Sequence, residues 1–335
     1  MTMLLQVEDL TVHFRLPYGL ADLAVRAPRQ MVQAVNGVSF ALNRGETLGL
    51  VGESGCGKST LGRAVLRLIQ PTSGKVLFEG DNVMELDRGE LFAFRRRAQM
   101  VFQDPHASLN PKLTVAQTLS EALRVHRICP SSETLERVAR LMERVGLSSD
   151  LASRRPGALS GGQCQRVGVA RALAVQPDLI IADESVSALD VSIQAQVLNL
   201  FMRLQREMNL TMIFISHDLG VVRHLCQTLA VMYLGRIVEF GPTEEIFRAP
   251  RHPYTLGLIE AIPRMEADAR MPQAQLKDEP PSAIFVPEGC AFHPRCPHAM
   301  AACCKGPPPA PRQIEDIHVW CHLYAESAAV PPPKQ

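Results

Sequence analysis

No apolar run in the 335 residues approaches the roughly 18 needed to cross a bilayer. The longest such segments, LGLVG, LIIAD and TMIFIS, have the length of buried strands, so any spanning of a membrane falls to other subunits. No secretory leader is expected: MTMLLQVEDL reaches Glu8 and Asp9 straight after a very short apolar run, with no basic or long apolar region before them. Charge of one sign is lacking, since 35 Lys and Arg against 34 Asp and Glu leave +1. That balance gives no footprint for nucleic acid or an anionic surface beyond what local patches could carry, and no nucleic-acid partner is expected. There is no sustained heptad pattern. What is there is a 46% hydrophobic chain, able to fill one large domain plus an appendage or two modest domains.

LGLVGESGCGKSTLGRAVLRLI, from Leu48 to Ile69, reads as a short strand, a glycine-rich turn and a helix with Leu61, Val65, Leu68 and Ile69 on one face. Gly52, Gly57, Lys58 and Ser59 satisfy G-x-x-x-x-G-K-[ST]. That spacing lets the backbone N–H groups of a loop poor in side chains, Gly52, Ser54, Gly55, Gly57 and on to Thr60, surround phosphate oxygens at the positive end of a helix. Lys58 then reaches the β- and γ-phosphates of ATP, and the Ser59 hydroxyl ligates Mg²⁺. The second half of such a site is an acid ending another buried strand, and LIIADES supplies Asp183 for the Mg²⁺ shell and Glu184 to orient and deprotonate water.

Between the halves lies LSGGQCQRVGVARALAVQ, where Ser160, Gly161 and Gly162 open a helix of good formers. Taken alone, Ser160 could be a simple helix cap.

The ordered set GESGCGKST, VFQDP, LSGGQ, LIIADE, SALD and ISHD resembles the ATP-binding subunits of ABC transporters over roughly residues 3–250. The resemblance implies an α/β fold: a RecA-like, ABC-type P-loop ATPase core with an N-terminal antiparallel β subdomain and an inserted helical signature subdomain at about 85–165. It implies that Gln103 senses Mg²⁺, that Ser187 to Asp190 form the D-loop, and that His217 contacts the γ-phosphate. Ser160 and Gly162 would then serve ATP held by a second ATPase subunit packed head to tail. Ser185, where proline is usual, and Cys164 depart from the family pattern without removing a chemical group. The adenine-stacking aromatic is Phe14 or Tyr18, although Phe14 also alternates with Val12 as a core residue would.

PRHPYTLGLIEAIPR and GCAFHPRC resemble the peptide-importer branch, which takes in dipeptide, oligopeptide, glutathione and nickel systems, and within it the second ATPase subunit of dipeptide importers. That implies ATP-driven import of peptides, dipeptides foremost. It also implies two membrane-spanning permease subunits, a second and non-identical ATPase subunit, an extracytoplasmic peptide-binding protein, and a place on the cytoplasmic face of the inner membrane. One cassette and near-neutral charge disfavour a soluble ABC protein of translation or DNA repair.

Five of the nine cysteines lie between Cys290 and Cys321. The segment 251–289 reads as family-specific sequence and linker, and 290–335 as a small Cys-rich extension with too little apolar content to fold well alone. Disulfides do not suit a reducing compartment, so a metal staple is expected, with reduced thiols the remaining alternative. The spacing is not the C-x₂-C of common zinc modules. Four thiolates suit a [4Fe–4S] cluster, and the resemblance selects Cys290, Cys296, Cys303 and Cys321 for it, with Zn²⁺ the other metal option. Cys56, in the phosphate loop at a helix N-terminus, is expected to have a lowered thiol pKa and to be reactive.

Overall fold

The computed structural model describes residues 2–16, 30–185, 190–262 and 279–325. Tyr18 and Ser187 lie outside them. Its strands in chain order are β1 (Met3–Arg15), β2 (Met31–Asn43), β3 (Thr47–Val51), β4 (Ser73–Phe78), β5 (Asp81–Asn82) and β6 (Ala98–Val101), followed by β7 (Leu179–Asp183), β8 (Thr211–Ile215), β9 (Thr228–Tyr233), β10 (Arg236–Pro242), β11 (Arg312–Ile314) and β12 (Ile317–Val319). The chain divides into two compact units: one of 1–5, 41–47 and 77–216, the other of 6–40, 48–76 and 217–335.

In the first unit, β6, β7 and β8 run parallel, with Val101 opposite Ala182 and Asp183 opposite Ile215. All residues of β7 and β8 are buried, which is why LIIAD and TMIFI read as unbroken apolar runs rather than alternating ones. Helices Arg88–Arg97, Val115–Val125 and Thr134–Arg144 occupy the stretch between phosphate loop and signature, followed by Gly161–Leu173. Asp87, Thr114 and Ser160 each begin a helix with a reciprocal capping box, to Glu90, Gln117 and Gln163. Arg44 and Arg97 both bond Asp178, at 3.0 and 2.6 Å, and both pair with Glu79.

In the second unit β3 lies parallel to β9, which forms a hairpin with β10. The register shifts at Ile237/Glu239, and Glu239 is fully buried. β12 pairs antiparallel with β10, and β11 with β12, so the C-terminal segment adds two strands to this sheet. The helix after the phosphate loop, Lys58–Val65, is shorter than its apolar pattern predicts. Arg67 turns left-handed (φ 49°), and the N–H groups of Arg67 and Leu68 bond Ala64 O and Arg63 O, so a Schellman stop leaves Leu68 exposed.

The expectation of a metal-stapled tail is corrected here. Among the described residues no group of three or more His, Cys, Asp or Glu could hold a metal ion, so neither the iron–sulfur cluster nor the zinc site on Cys290, Cys296, Cys303 and Cys321 is supported. The physical reason lies in the core the segment borrows. Phe292 is 1% exposed and packs against Tyr233, Tyr254 and His252 at centroid distances of 5.2, 5.4 and 5.6 Å, while β12 is zipped to β10. Burial pushes the Cys290 thiol up to about 11 and Cys321 up to about 12, and raises Cys296, which favours neutral thiols packed as small apolar groups.

Candidate functional site: a phosphate loop and an acidic strand end

The phosphate loop leaves β3 and enters the Lys58–Val65 helix through Gly57, which no side chain caps. Two glycines are dictated by space. A Cβ on Gly52 (φ 149°) would stand 2.1 Å from Met232 O, and one on Gly57 (φ 106°) 2.0 Å from Ala34 O. Ser54 and Gly55 are exposed at the rim, with Ser59 and Thr60 half-buried below them. Lys58 is 4% exposed, and its Nζ donates to Gly52 O at 2.8 Å and Glu53 O at 2.9 Å. Its third proton has the weak acceptor Cys56 Sγ at 3.7 Å, the contact a phosphate oxygen most easily replaces.

Cys56 departs from expectation. It is buried, and desolvation raises its thiol pKa against the lowering pull of Lys58, so the site beside the helix N-terminus holds a neutral thiol.

Glu53 was not singled out in the sequence, yet it ties the loop down. Its N–H donates to the Tyr254 hydroxyl (2.8 Å), and its carboxylate receives both terminal nitrogens of Arg295 (2.7 and 2.9 Å). The PRHPY wording explains how Tyr254 is placed. The buried Glu239 carboxylate accepts the N–H groups of Arg251 and His252 (2.7 and 2.9 Å), and His252 Nδ1 accepts from Tyr254 N (3.1 Å), opening helix Pro253–Glu260. Burial raises the Glu239 carboxyl and lowers His252 to about 3, so the imidazole is neutral.

In the other unit, Asp183 ends β7 with no exposed surface. Glu184 follows in a left-handed conformation (φ 42°), its N–H donating to Ile215 O at 3.0 Å. Gln103 Nε2 donates to Glu184 Oε2 at 2.8 Å, so two residues 81 positions apart meet side chain to side chain. Ser160 is exposed, its hydroxyl accepting from Gln163 N (3.3 Å), so the capping role is real. Gly162 is buried where a Cβ would stand 2.4 Å from Ile193 Cγ2. Cys164 is buried with a raised thiol pKa and packs as core. Asp190 is the N-cap of helix Val191–Met208, and His217 is exposed just after β8. Phe14 is 39% exposed on β1 beside buried Val12, so it is not a core residue.

A glycine-walled loop with a buried lysine, together with an acidic pair ending a buried parallel strand, defines a P-loop ATPase of the RecA-like kind. Comparison with known proteins narrows the class. Residues 35–187 match the family described as ABC transporter, and 238–303 match the oligopeptide/dipeptide transporter C-terminal region. The chain is 50% identical over 97% of its length to "Probable peptide ABC transporter ATP-binding protein y4tS" of Sinorhizobium fredii, covering 91% of that protein. It is 47% identical over 96% of its length to the oligopeptide transport ATP-binding protein AppF of Bacillus subtilis, covering 98% of it. Among solved structures, cbiO1 of Clostridium perfringens superposes with a TM-score of 0.62 at 29% identity, covering 74% of this chain and 92% of that one. The dimeric ABC transporter cassette MJ0796 does so with the same score at 26% identity, over 71% and 98%. The chain belongs to the ATP-binding subunits of ABC transporters, with the helical subdomain and N-terminal β subdomain of that fold.

Proposed function

We propose that the chain is the ATP-hydrolysing subunit that powers a peptide importer. The observation that carries this reading is one chain in which an ABC ATPase region is followed by an oligopeptide/dipeptide-type C-terminal region whose Tyr254 and Arg295 grip the phosphate loop. In this reading two membrane-spanning subunits, a second ATPase subunit of non-identical sequence and an extracytoplasmic peptide-binding protein complete the complex at the cytoplasmic face of the membrane. Among the described residues no helix is long and apolar enough to cross a membrane, which leaves that task to partners. The wording of GCAFHPRC and VSALDVSIQAQVLNL supports the role of second ATPase in a dipeptide system.

The loop amides from Gly52 through Thr60 and the Lys58 ammonium hold the phosphates of ATP. By motif, the Ser59 hydroxyl, the Gln103 amide oxygen and the Asp183 carboxylate are the hard oxygen donors that would hold Mg²⁺, which would supply charge neutralisation to the phosphates. Glu184 takes a proton from the attacking water as its oxygen bonds the γ-phosphorus and the bond to the β-phosphate oxygen breaks, with ADP leaving on that oxygen. The Gln103 amide aims the Glu184 carboxylate, and His217 steadies the γ-phosphate. Ser160, Gly162 and Asp190 face the nucleotide of the partner ATPase, and Phe14 stacks on adenine.

Glu184→Gln is expected to keep ATP binding and lower turnover by about 10²- to 10⁴-fold, measured as hydrolysis and as retained nucleotide. Reconstitution with the membrane subunits and binding protein tests the cargo. Hydrolysis that rises when peptide is added supports the reading, and hydrolysis indifferent to peptide overturns it.

A further inference from the structure

Glu53 is held at three points. Its N–H donates to the Tyr254 hydroxyl, its carbonyl accepts from Lys58, and its carboxylate sits in the fork of Arg295. Arg295 lies 242 positions away in the turn His293–Arg295, is 8% exposed, and places its guanidinium carbon 5.9 Å from the centroid of the Tyr233 ring. The Glu53 pair raises the Arg295 pKa and fixes its charge. Two of these three contacts, from Tyr254 and Arg295, come from the region that matches the oligopeptide/dipeptide transporter C-terminal family.

Stability alone does not account for the pair. Two charges taken out of water give back little net stability, and apolar replacements of similar volume often do as well. The position of the carboxylate is more telling. Lys58 Nζ donates to the Glu53 main-chain carbonyl at 2.9 Å, and the Glu53 carboxylate acts through its charge on the Cys56 thiol inside the loop, so an unneutralised carboxylate there would repel the triphosphate in a partly desolvated setting. Only the planar, two-pronged guanidinium cancels that charge while fixing the side chain in one orientation.

Building on the assignment of residues 52–60 as the phosphate site, we propose that Arg295 and Tyr254 are positioning residues for the nucleotide. They brace Glu53 from its carboxylate and its main chain, and Arg295 removes the repulsion between Glu53 and the phosphates. The C-terminal segment thereby sets the affinity of the phosphate loop. Because such coupling is reciprocal, ATP in the loop tightens the segment around Arg295 in turn.

The test is binding of a fluorescent N-methylanthraniloyl ATP with Mg²⁺ to the full chain. Arg295→Gln is expected to raise Kd about tenfold, through the unpaired Glu53 charge. The double variant Glu53→Gln with Arg295→Gln is expected to return within about threefold of the parent, a rescue that damage to the fold would not produce. An unchanged Kd for Arg295→Gln, or a double variant no better than the single, overturns the proposal. Should these variants not fold, hydrogen exchange of residues 290–304 in the unaltered chain decides: slower exchange with ATP supports the coupling, and identical exchange overturns it. Lys58→Ala separates the two levels. Normal binding by that variant overturns the phosphate-site assignment itself, whereas lost binding there beside an unaffected Arg295→Gln overturns the brace alone.

Discussion

The two units carry their chemistry in opposite ways. In the unit with the phosphate loop, Lys58 and Arg295 are 4% and 8% exposed and every described contact of Glu53 fixes it in place. In the unit with the acidic strand end, Gln103 and Ser160 are exposed, and Glu184 sits half-buried on a left-handed backbone with Gln103 as a neighbour. The phosphate loop is held fixed by contacts within its own unit, the pre-organisation that binding of a highly charged ligand favours. The acidic strand end leaves Gln103 and Ser160 exposed, in contrast to the braced loop.

The largest effect should separate these two units. Lys58→Ala is expected to abolish nucleotide binding, whereas Gln103→Ala keeps it and slows turnover about 10²-fold, seen by comparing Kd with kcat. Equal loss of binding in both would break the contrast. Next in size, Phe292→Ala should cost about 3–5 kcal/mol in urea unfolding, because it hollows the aromatic cluster that joins the tail to its unit.

A pH scan sharpens the same point. His252 is lowered to about 3 in the folded protein, so between its unfolded value near 6.5 and about 3 the unfolded chain binds the extra proton. Stability therefore falls on acidification through that window, and His252→Asn, which can still accept the Tyr254 N–H, should flatten the slope. Asp178 adds to the acid limb. Burial works against its ionisation, but the Arg97 and Arg44 hydrogen bonds outweigh it and lower its pKa, so its contribution is present above the unfolded value and lost as pH drops through the folded one. Smallest, Asp87→Ala removes a capping box and should cost about 1 kcal/mol, read in thermal unfolding.

Much of this was legible in the sequence because it is local. LGLVG, LIIAD and TMIFI became β3, β7 and β8, and Ser160 in LSGGQ became a helix cap. The resemblance named Gln103 and the strand-end motif named Glu184, but neither announced that their side chains would meet. What stayed hidden depends on distant partners. Nothing near Cys290 announces that Ile317–Val319 will pair with Phe240 and Glu239, so the tail looked too poor in core to fold without metal. Cys56 misled for the same reason: a helix N-terminus lowers a thiol pKa, but burial under the loop wins. Glu53 and Arg295 carried no local signal, since each is an ordinary charged residue until the other arrives.

The sheet of the phosphate-loop unit closes with β11, three residues long, with Arg312 and Gln313 exposed and Pro308, Pro309 and Pro311 just ahead of it. A strand so short, charged and flanked by proline is a poor template for another chain. Behind it, β10 is long and mostly buried, and it owes its lack of a sticky margin to β12. A chain cut before Arg312 would bare the backbone of Glu239 and Phe240, and such a fragment should self-associate edge to edge. The last strands thus act as a hem, keeping a densely packed motor subunit from sticking to its own copies.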